Sequence, residues 1–166
     1  DLEGAIDYIF NRTDLENKNL GIFGLSLGGA VAIMVSAKDS RIKVVISDGS
    51  YKDLYSSMLH HAKVFYSLPK FPFGIFLRMA YLLRFGKDPK KISPQDLISK
   101  ISPRPVFIIN GEKDNQIPSE NAFSLFEKAK YPKELWIIPE AGHGEGLGIC
   151  YEEYSKKIIN FLMNAL

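Results

Sequence analysis

Apolar residues recur at helical spacing from the second position onward, at Leu2, Ala5, Ile6, Ile9 and Phe10. A polar turn from Asn17 then leads into a short apolar strand, Leu20 to Gly24, followed by a glycine-rich corner over Gly24 to Gly29 and an apolar, helix-compatible run, Ala30 to Ala37. Lys43 to Ser47 contains Val44, Val45 and Ile46, a continuous β-branched run of the kind that fills a parallel strand covered on both faces. Val106 to Asn110 and Leu135 to Ile138 repeat that signature. Between them Ser119 to Lys130 carries an apolar helix face at Ala122, Phe123, Leu125, Phe126 and Ala129, and Tyr151 to Leu166 carries another at Tyr154, Ile158, Phe161 and Leu162. Strands separated by helices predict an α/β fold with a doubly wound, mainly parallel sheet of about four strands. Because helical spacing is under way at the first residues and Asp1 is not a methionine, the chain reads as a piece of a longer protein.

Residues Gly49 to Ser102 depart from the alternation. They contain no convincing strand, hold nine of the chain's 20 aromatic residues, and carry nine Lys/Arg against three Asp/Glu. The expectation is a helical cap inserted at residues 49–102, with residues 1–48 and 103–166 forming the core. Phe71 to Leu77 and Met79 to Leu83 are apolar on more than one side. That pattern suits packing onto the sheet, and it equally suits a greasy, cationic lid over a substrate pocket.

Composition narrows the class without deciding it. With 166 residues, 46% hydrophobic and 24% charged, the chain matches a globular domain able to bury a core without metal or disulfide staples. The single Cys150 cannot form an internal bridge, so a reducing, cytoplasmic compartment is the expectation. Apolar runs fall short of the roughly 18 residues of a membrane span. A net charge of +2 and basic residues interrupted by apolar stretches give no argument for nucleic acid.

The chemistry concentrates in three loops that follow strands. Gly24-Leu25-Ser26-Leu27-Gly28-Gly29 lies between a strand and a helix, the setting of a nucleophile elbow: Ser26 at the tip in a strained backbone, small residues at Gly24 and Gly28 to let strand and helix approach, and the Leu27 N–H aimed where an oxyanion would form. The same residues resemble a dinucleotide fingerprint whose middle glycine is serine, with Asp48 where a ribose-binding acid would stand, and they also fit a glycine-rich turn without chemistry. Asp114, in Gly111-Glu112-Lys113-Asp114, and His143, in Ala141-Gly142-His143-Gly144, each follow a strand and so fall on the rim that carries Ser26. Serine is a poor nucleophile until an imidazole accepts its proton, and the imidazole needs a carboxylate to fix its tautomer, so Ser26, Asp114 and His143 form one candidate relay. His60-His61 lacks the spacing of a helical zinc site, and no metal is expected. Glu145 reads as an ion-pairing or solvent-facing residue and Cys150 as a small packed hydrophobe.

On these segments, with Gly111 to Pro118 and Ala141 to Glu145 included, the chain resembles the α/β-hydrolase superfamily over nearly its whole length, most closely its serine aminopeptidase, monoacylglycerol-lipase-like or BEM46-like members. The resemblance implies Ser26 as nucleophile, Asp114 as acid, His143 as base and Leu27 as one oxyanion donor, with Asp48 as a reserve acid because some members place the acid after the preceding strand. It implies further that the first strands and the loop giving the other oxyanion donor would precede Asp1, leaving this piece weak or inactive alone. The Ser26 strand would then have an unpaired edge open to self-association. The expected function is cofactor-independent hydrolysis of carboxylic esters, or of amides or thioesters, through an acyl-serine intermediate, on a small-molecule ester or acyl substrate. Contact of the cap with a membrane surface is a further expectation. The alternatives are a non-catalytic binding module on the same scaffold and a Rossmann-like nucleotide-binding domain.

Overall fold

The computed structural model describes residues 1–15 and 19–166, so Asn17 and Lys18 of the expected turn lie outside the described residues. The chain runs α1 (Leu2–Asn11), β1 (Leu20–Leu25), α2 (Leu27–Ser36), β2 (Ile42–Asp48), α3 (Leu54–Tyr66), α4 (Lys70–Phe85), the single turn α5 (Pro94–Leu97), β3 (Val106–Gly111), α6 (Glu120–Lys128), β4 (Lys133–Ile138), the single turn α7 (Gly146–Ile149) and α8 (Tyr151–Ala165). The four strands form one parallel sheet in the order β1-β2-β3-β4. Together with the helices that flank it, this is the α/β class that the strand and helix pattern predicts.

Period-two alternation assigns the strand side chains to two layers. Val45, Val106 and Ile108 face one core with Ile6 of α1, Ile33 of α2 and Leu125 of α6. Ile46, Phe107 and Ile109 face the other, closed by Tyr154 and Phe161 of α8, with the Phe107 and Phe161 rings 5.1 Å apart. Every residue of β3 is buried, as a parallel strand covered on both faces requires. Arg104 fastens the entry to β3: its guanidinium donates to the carbonyls of Ser36 (2.6 Å), Asp39 (2.8 Å), Ile42 (2.8 Å) and Ile101 (3.1 Å), tying the C-terminal end of α2 to the sheet.

Residues 49–102 are helical and contain no strand. Asp53 caps α3 by accepting from the Ser56 N–H at 2.7 Å. Helix α4 crosses α3 at Gly74, where a Cβ would stand 2.8 Å from Leu59 Cδ2, and Tyr55 donates to the Gly74 carbonyl at 3.2 Å. Only Gly74 of α4 is buried, and Phe71, Phe76 and Leu83 are exposed. Ile98 and Ile101, near the end of the segment, belong to the sheet core. Strand β1 pairs with β2 on one side and is an edge of the sheet among the described residues, with Phe23 and Leu25 exposed.

Candidate active site

Strand β1 ends at Leu25 and α2 begins at Leu27, so Ser26 makes the whole turn alone, at φ 55°, ψ −122°. A non-glycine residue held there stores strain on the order of 1–3 kcal/mol. Three hydrogen bonds hold it: the Ser26 N–H donates to the Asp48 carbonyl at 2.7 Å, and the Ser26 carbonyl accepts from Gly29 and Ala30 at 3.0 and 3.3 Å. The end of β2 and the first turn of α2 therefore both set the serine. Leu27 opens the helix, and its amide is one of the first-turn N–H groups that an α-helix leaves without an intrahelical acceptor.

The glycines divide the labour differently from the sequence expectation. A Cβ at Gly24 would lie 2.3 Å from the Gly28 carbonyl oxygen, and one at Gly29 would lie 2.7 Å from Ser47 Oγ and 3.0 Å from the Gly24 carbonyl oxygen. A Cβ at Gly28 meets nothing within 4 Å. The strand–helix approach is thus made at Gly24 and Gly29, not Gly28, because the helical rotation turns position 29 toward the sheet and position 28 away from it.

The loops after β3 and β4 meet above the elbow. His143 bridges them: Nε2 lies 2.9 Å from Ser26 Oγ and Nδ1 2.7 Å from Asp114 Oδ2. The Asp114 side chain has no solvent exposure and that of His143 has 16%. The other Asp114 oxygen, Oδ1, accepts from the N–H groups of Gln116 and Ile117 at 2.9 and 2.8 Å. An acceptor-only carboxylate facing Nδ1 puts the proton on that nitrogen and leaves the Nε2 lone pair to the serine hydroxyl. This arrangement can remove a proton from Ser26 and hold the resulting imidazolium against a buried charge.

Backbone packing fixes the loops. A Cβ at Gly111 would lie 2.4 Å from the Ala141 carbonyl oxygen, and the Lys113 N–H donates to that same oxygen at 2.8 Å. Glu145, read from the sequence as an ion-pairing or solvent-facing residue, accepts from the Gly142 N–H at 2.8 Å and so braces the turn that presents His143. Gly49, at φ +59°, runs beneath the imidazole: a Cβ there would be 3.2 Å from His143 Cε1.

Asp48 is placed beside the relay but turned away from it. Its Oδ2 accepts from the Tyr154 hydroxyl at 2.6 Å on the α8 side of the sheet. Burial raises its pKa above the ordinary carboxylate value, opposed by the Tyr154 hydrogen bond and the charge of His143. Burial, with the same hydrogen bond, also pushes the Tyr154 phenol up. A carboxyl group buried and engaged in this way is not presented to a ribose, and Ser26 Oγ is committed to His143, so the dinucleotide reading finds no site at this turn. The Cys150 thiol donates to the Gly146 carbonyl at 3.3 Å, and burial raises its pKa. Among the described residues no group of three or more His, Cys, Asp and Glu could hold a metal ion. His60 and His61 of α3 instead reach the loop after Asp114, contacts that no sequence spacing announced. No helix formed by the described residues is long and apolar enough to cross a membrane.

The sequence pattern of the prolyl oligopeptidase family matches residues 1–166, and the chain belongs to that family. Among curated proteins it is 27% identical over 172 residues to YfhR of Escherichia coli strain K12, itself uncharacterized, covering 100% of this chain and 53% of YfhR. It is 28% identical over 152 residues to the bem46 protein of Schizosaccharomyces pombe, covering 87% of this chain and 44% of that protein. The chain thus spans about half the length of the curated relatives it matches. Among solved structures, the Pyrococcus furiosus esterase Pf2001 superposes with a TM-score of 0.77 at 23% identity, covering 99% of this chain and 61% of that one. The fold is that of the α/β-hydrolases, as the elbow and the two later loops led the sequence to resemble.

Proposed function

We propose that this member of the prolyl oligopeptidase family is a serine hydrolase that cleaves carboxylic esters through an acyl intermediate on Ser26. The observation that carries this reading is the single imidazole of His143 within hydrogen-bond reach of both Ser26 Oγ (2.9 Å) and Asp114 Oδ2 (2.7 Å). Ser26 Oγ attacks the ester carbonyl carbon while His143 Nε2 takes the hydroxyl proton, and Asp114 holds the imidazolium so formed. The carbonyl oxygen becomes an oxyanion received by the Leu27 N–H. Collapse breaks the bond to the alkoxy group, which leaves as an alcohol carrying the proton from His143. Water, deprotonated by the same nitrogen, then attacks the acyl-serine, releasing the acid and restoring Ser26.

Esters are favoured over amides and thioesters by the likeness to an esterase, Pf2001. The exposed apolar side chains of α4, among them Phe71, Ile75 and Phe76, supply a surface for the acyl or aromatic part of the substrate. The test uses the intact protein and a fluorophosphonate probe. Labelling that disappears in Ser26→Ala, with an Asp114→Asn variant losing about 10⁴-fold in kcat on a short ester, is the expected outcome. An intact wild-type protein that the probe never labels would overturn the reading and leave a binding module on the same scaffold.

A further inference from the structure

Two neighbouring histidines of α3 reach the loop that holds the acid. His60 Nε2 lies 2.8 Å from the Asn115 carbonyl oxygen, and His61 Nε2 lies 3.1 Å from the Gln116 carbonyl oxygen. A carbonyl only accepts, so in both rings Nε2 carries the proton and donates it. For His61, burial lowers the pKa, which favours the neutral ring with a single proton at that nitrogen. Consecutive residues on a helix point about 100° apart. Here both nonetheless reach carbonyls of successive residues, Asn115 and Gln116.

The far ends of those peptide groups are what give the contacts meaning. The Asn115 carbonyl shares its peptide group with the Gln116 N–H, which donates to Asp114 Oδ1 at 2.9 Å. The Gln116 carbonyl shares its peptide group with the Ile117 N–H, which donates to the same oxygen at 2.8 Å. Two parallel chains thus run from imidazole N–H through one peptide group each to one oxygen of Asp114, whose other oxygen meets His143. A peptide group whose carbonyl accepts a hydrogen bond is a stronger donor at its N–H, so each chain both orients and polarises the bond it delivers.

We infer that His60 and His61 are positioning residues for Asp114, acting through the peptide groups 115–116 and 116–117, and that α3 thereby sets the geometry of the Asp114–His143 bond. The inference rests on the serine-hydrolase reading for its kinetic consequence but not for its structural one. It gives the helical segment 49–102 a part in the chemistry besides contact with substrate: a shift of α3 loosens the acid.

The test compares six forms of the intact protein: wild type, His60→Ala/His61→Ala, His60→Gln/His61→Gln, Asp114→Asn, and each double variant placed on Asp114→Asn. Glutamine returns an N–H donor near the position of Nε2 without the ring. The alanine pair is expected to lose about 10- to 100-fold in kcat on a short ester, the scale of a misplaced catalytic group, with KM within about threefold. The glutamine pair is expected to recover most of that loss. On the Asp114→Asn background the alanine pair is expected to cost less than about twofold, because residues acting through one partner are not additive. In parallel, the low-field proton resonance of His143 Nδ1–H is expected to broaden or move in the alanine pair and to return in the glutamine pair. Equal losses on both backgrounds, or no loss together with an unmoved resonance, overturn the inference. If the alanine pair fails to fold, the single glutamine and single leucine variants carry the same comparison. A protein that never labels at Ser26 yet shows the resonance change would refute the hydrolase reading and keep the positioning role.

Discussion

Helices α2 and α4 are both apolar on more than one side, yet the structure treats them in opposite ways. Helix α2 follows Leu27 with Gly28, Gly29 and Ala30 and buries Gly29, Ala30, Ala32, Ile33 and Ser36 against β1 and β2. Helix α4 carries Phe71, Phe73, Phe76 and Leu83 and buries only Gly74. Apolar content therefore does not decide burial here. Close approach does: the small residues Gly29, Ala30 and Ala32 let α2 lie near enough to the sheet for its backbone to take part in the elbow and for Ile33 to be buried, whereas the large side chains of α4 project outward except where Gly74 meets α3.

The comparison breaks most sharply under paired truncations. Ile33→Ala is expected to cost about 2–5 kcal/mol by leaving a cavity beneath α2. Leu83→Ser on α4 is expected to stay within about 0.5 kcal/mol of wild type, with its effect confined to KM for long-chain esters. Urea unfolding and a chain-length series measure the two. Should Leu83→Ser destabilise as Ile33→Ala does, α4 is core and the contrast is wrong.

A smaller effect sharpens the point at the elbow itself. Gly24→Ala forces a methyl group onto the Gly28 carbonyl and is expected to cost about 1–3 kcal/mol, together with the loss of probe labelling at Ser26. Gly28→Ala meets open space in a helix and is expected to be neutral or to stabilise by up to about 1 kcal/mol. A loss at Gly24 with none at Gly28, read by thermal unfolding, would place the close approach at Gly24 and not at Gly28.

The gentlest prediction is a slope. Burial raises the Asp48 pKa in the folded chain above its unfolded value near 3.9. The folded state then binds more protons, and the stability Asp48 contributes is present below the unfolded value and lost as pH rises through the folded one. Asp48→Asn keeps an acceptor for Tyr154 and removes the titration. Relative to wild type, the variant is expected to gain stability as pH rises from the unfolded value through the folded one, and a constant difference across that range would count against a raised pKa.

Much of this was legible in the sequence, for reasons that also explain what was not. The β-branched centres of β2 and β3 advertised themselves because a strand buried on both faces must be continuously apolar. Strand β4 starts at Lys133, two residues before the apolar run, because Lys133 and Glu134 join the sheet through backbone pairing with Val106 and Phe107, to which their side chains are indifferent. Helix α2 starts at Leu27, not Ala30, since the glycines that read as a corner are its first turn. The three side chains that converge were readable as residues following strand ends. His60, His61 and Glu145 were not, because their partners are backbone groups, which no side-chain pattern records, and those of the histidines lie 55 residues away.

Gly49 shows how a position can matter while contributing no functional group. Its backbone passes under the His143 ring in a left-handed conformation that other residues rarely adopt, and a Cβ there would press on the ring at 3.2 Å. In a saturation library scored by turnover, substitutions at position 49 are therefore expected to register through the imidazole they displace, and a survey that looked only for reactive atoms would pass over it.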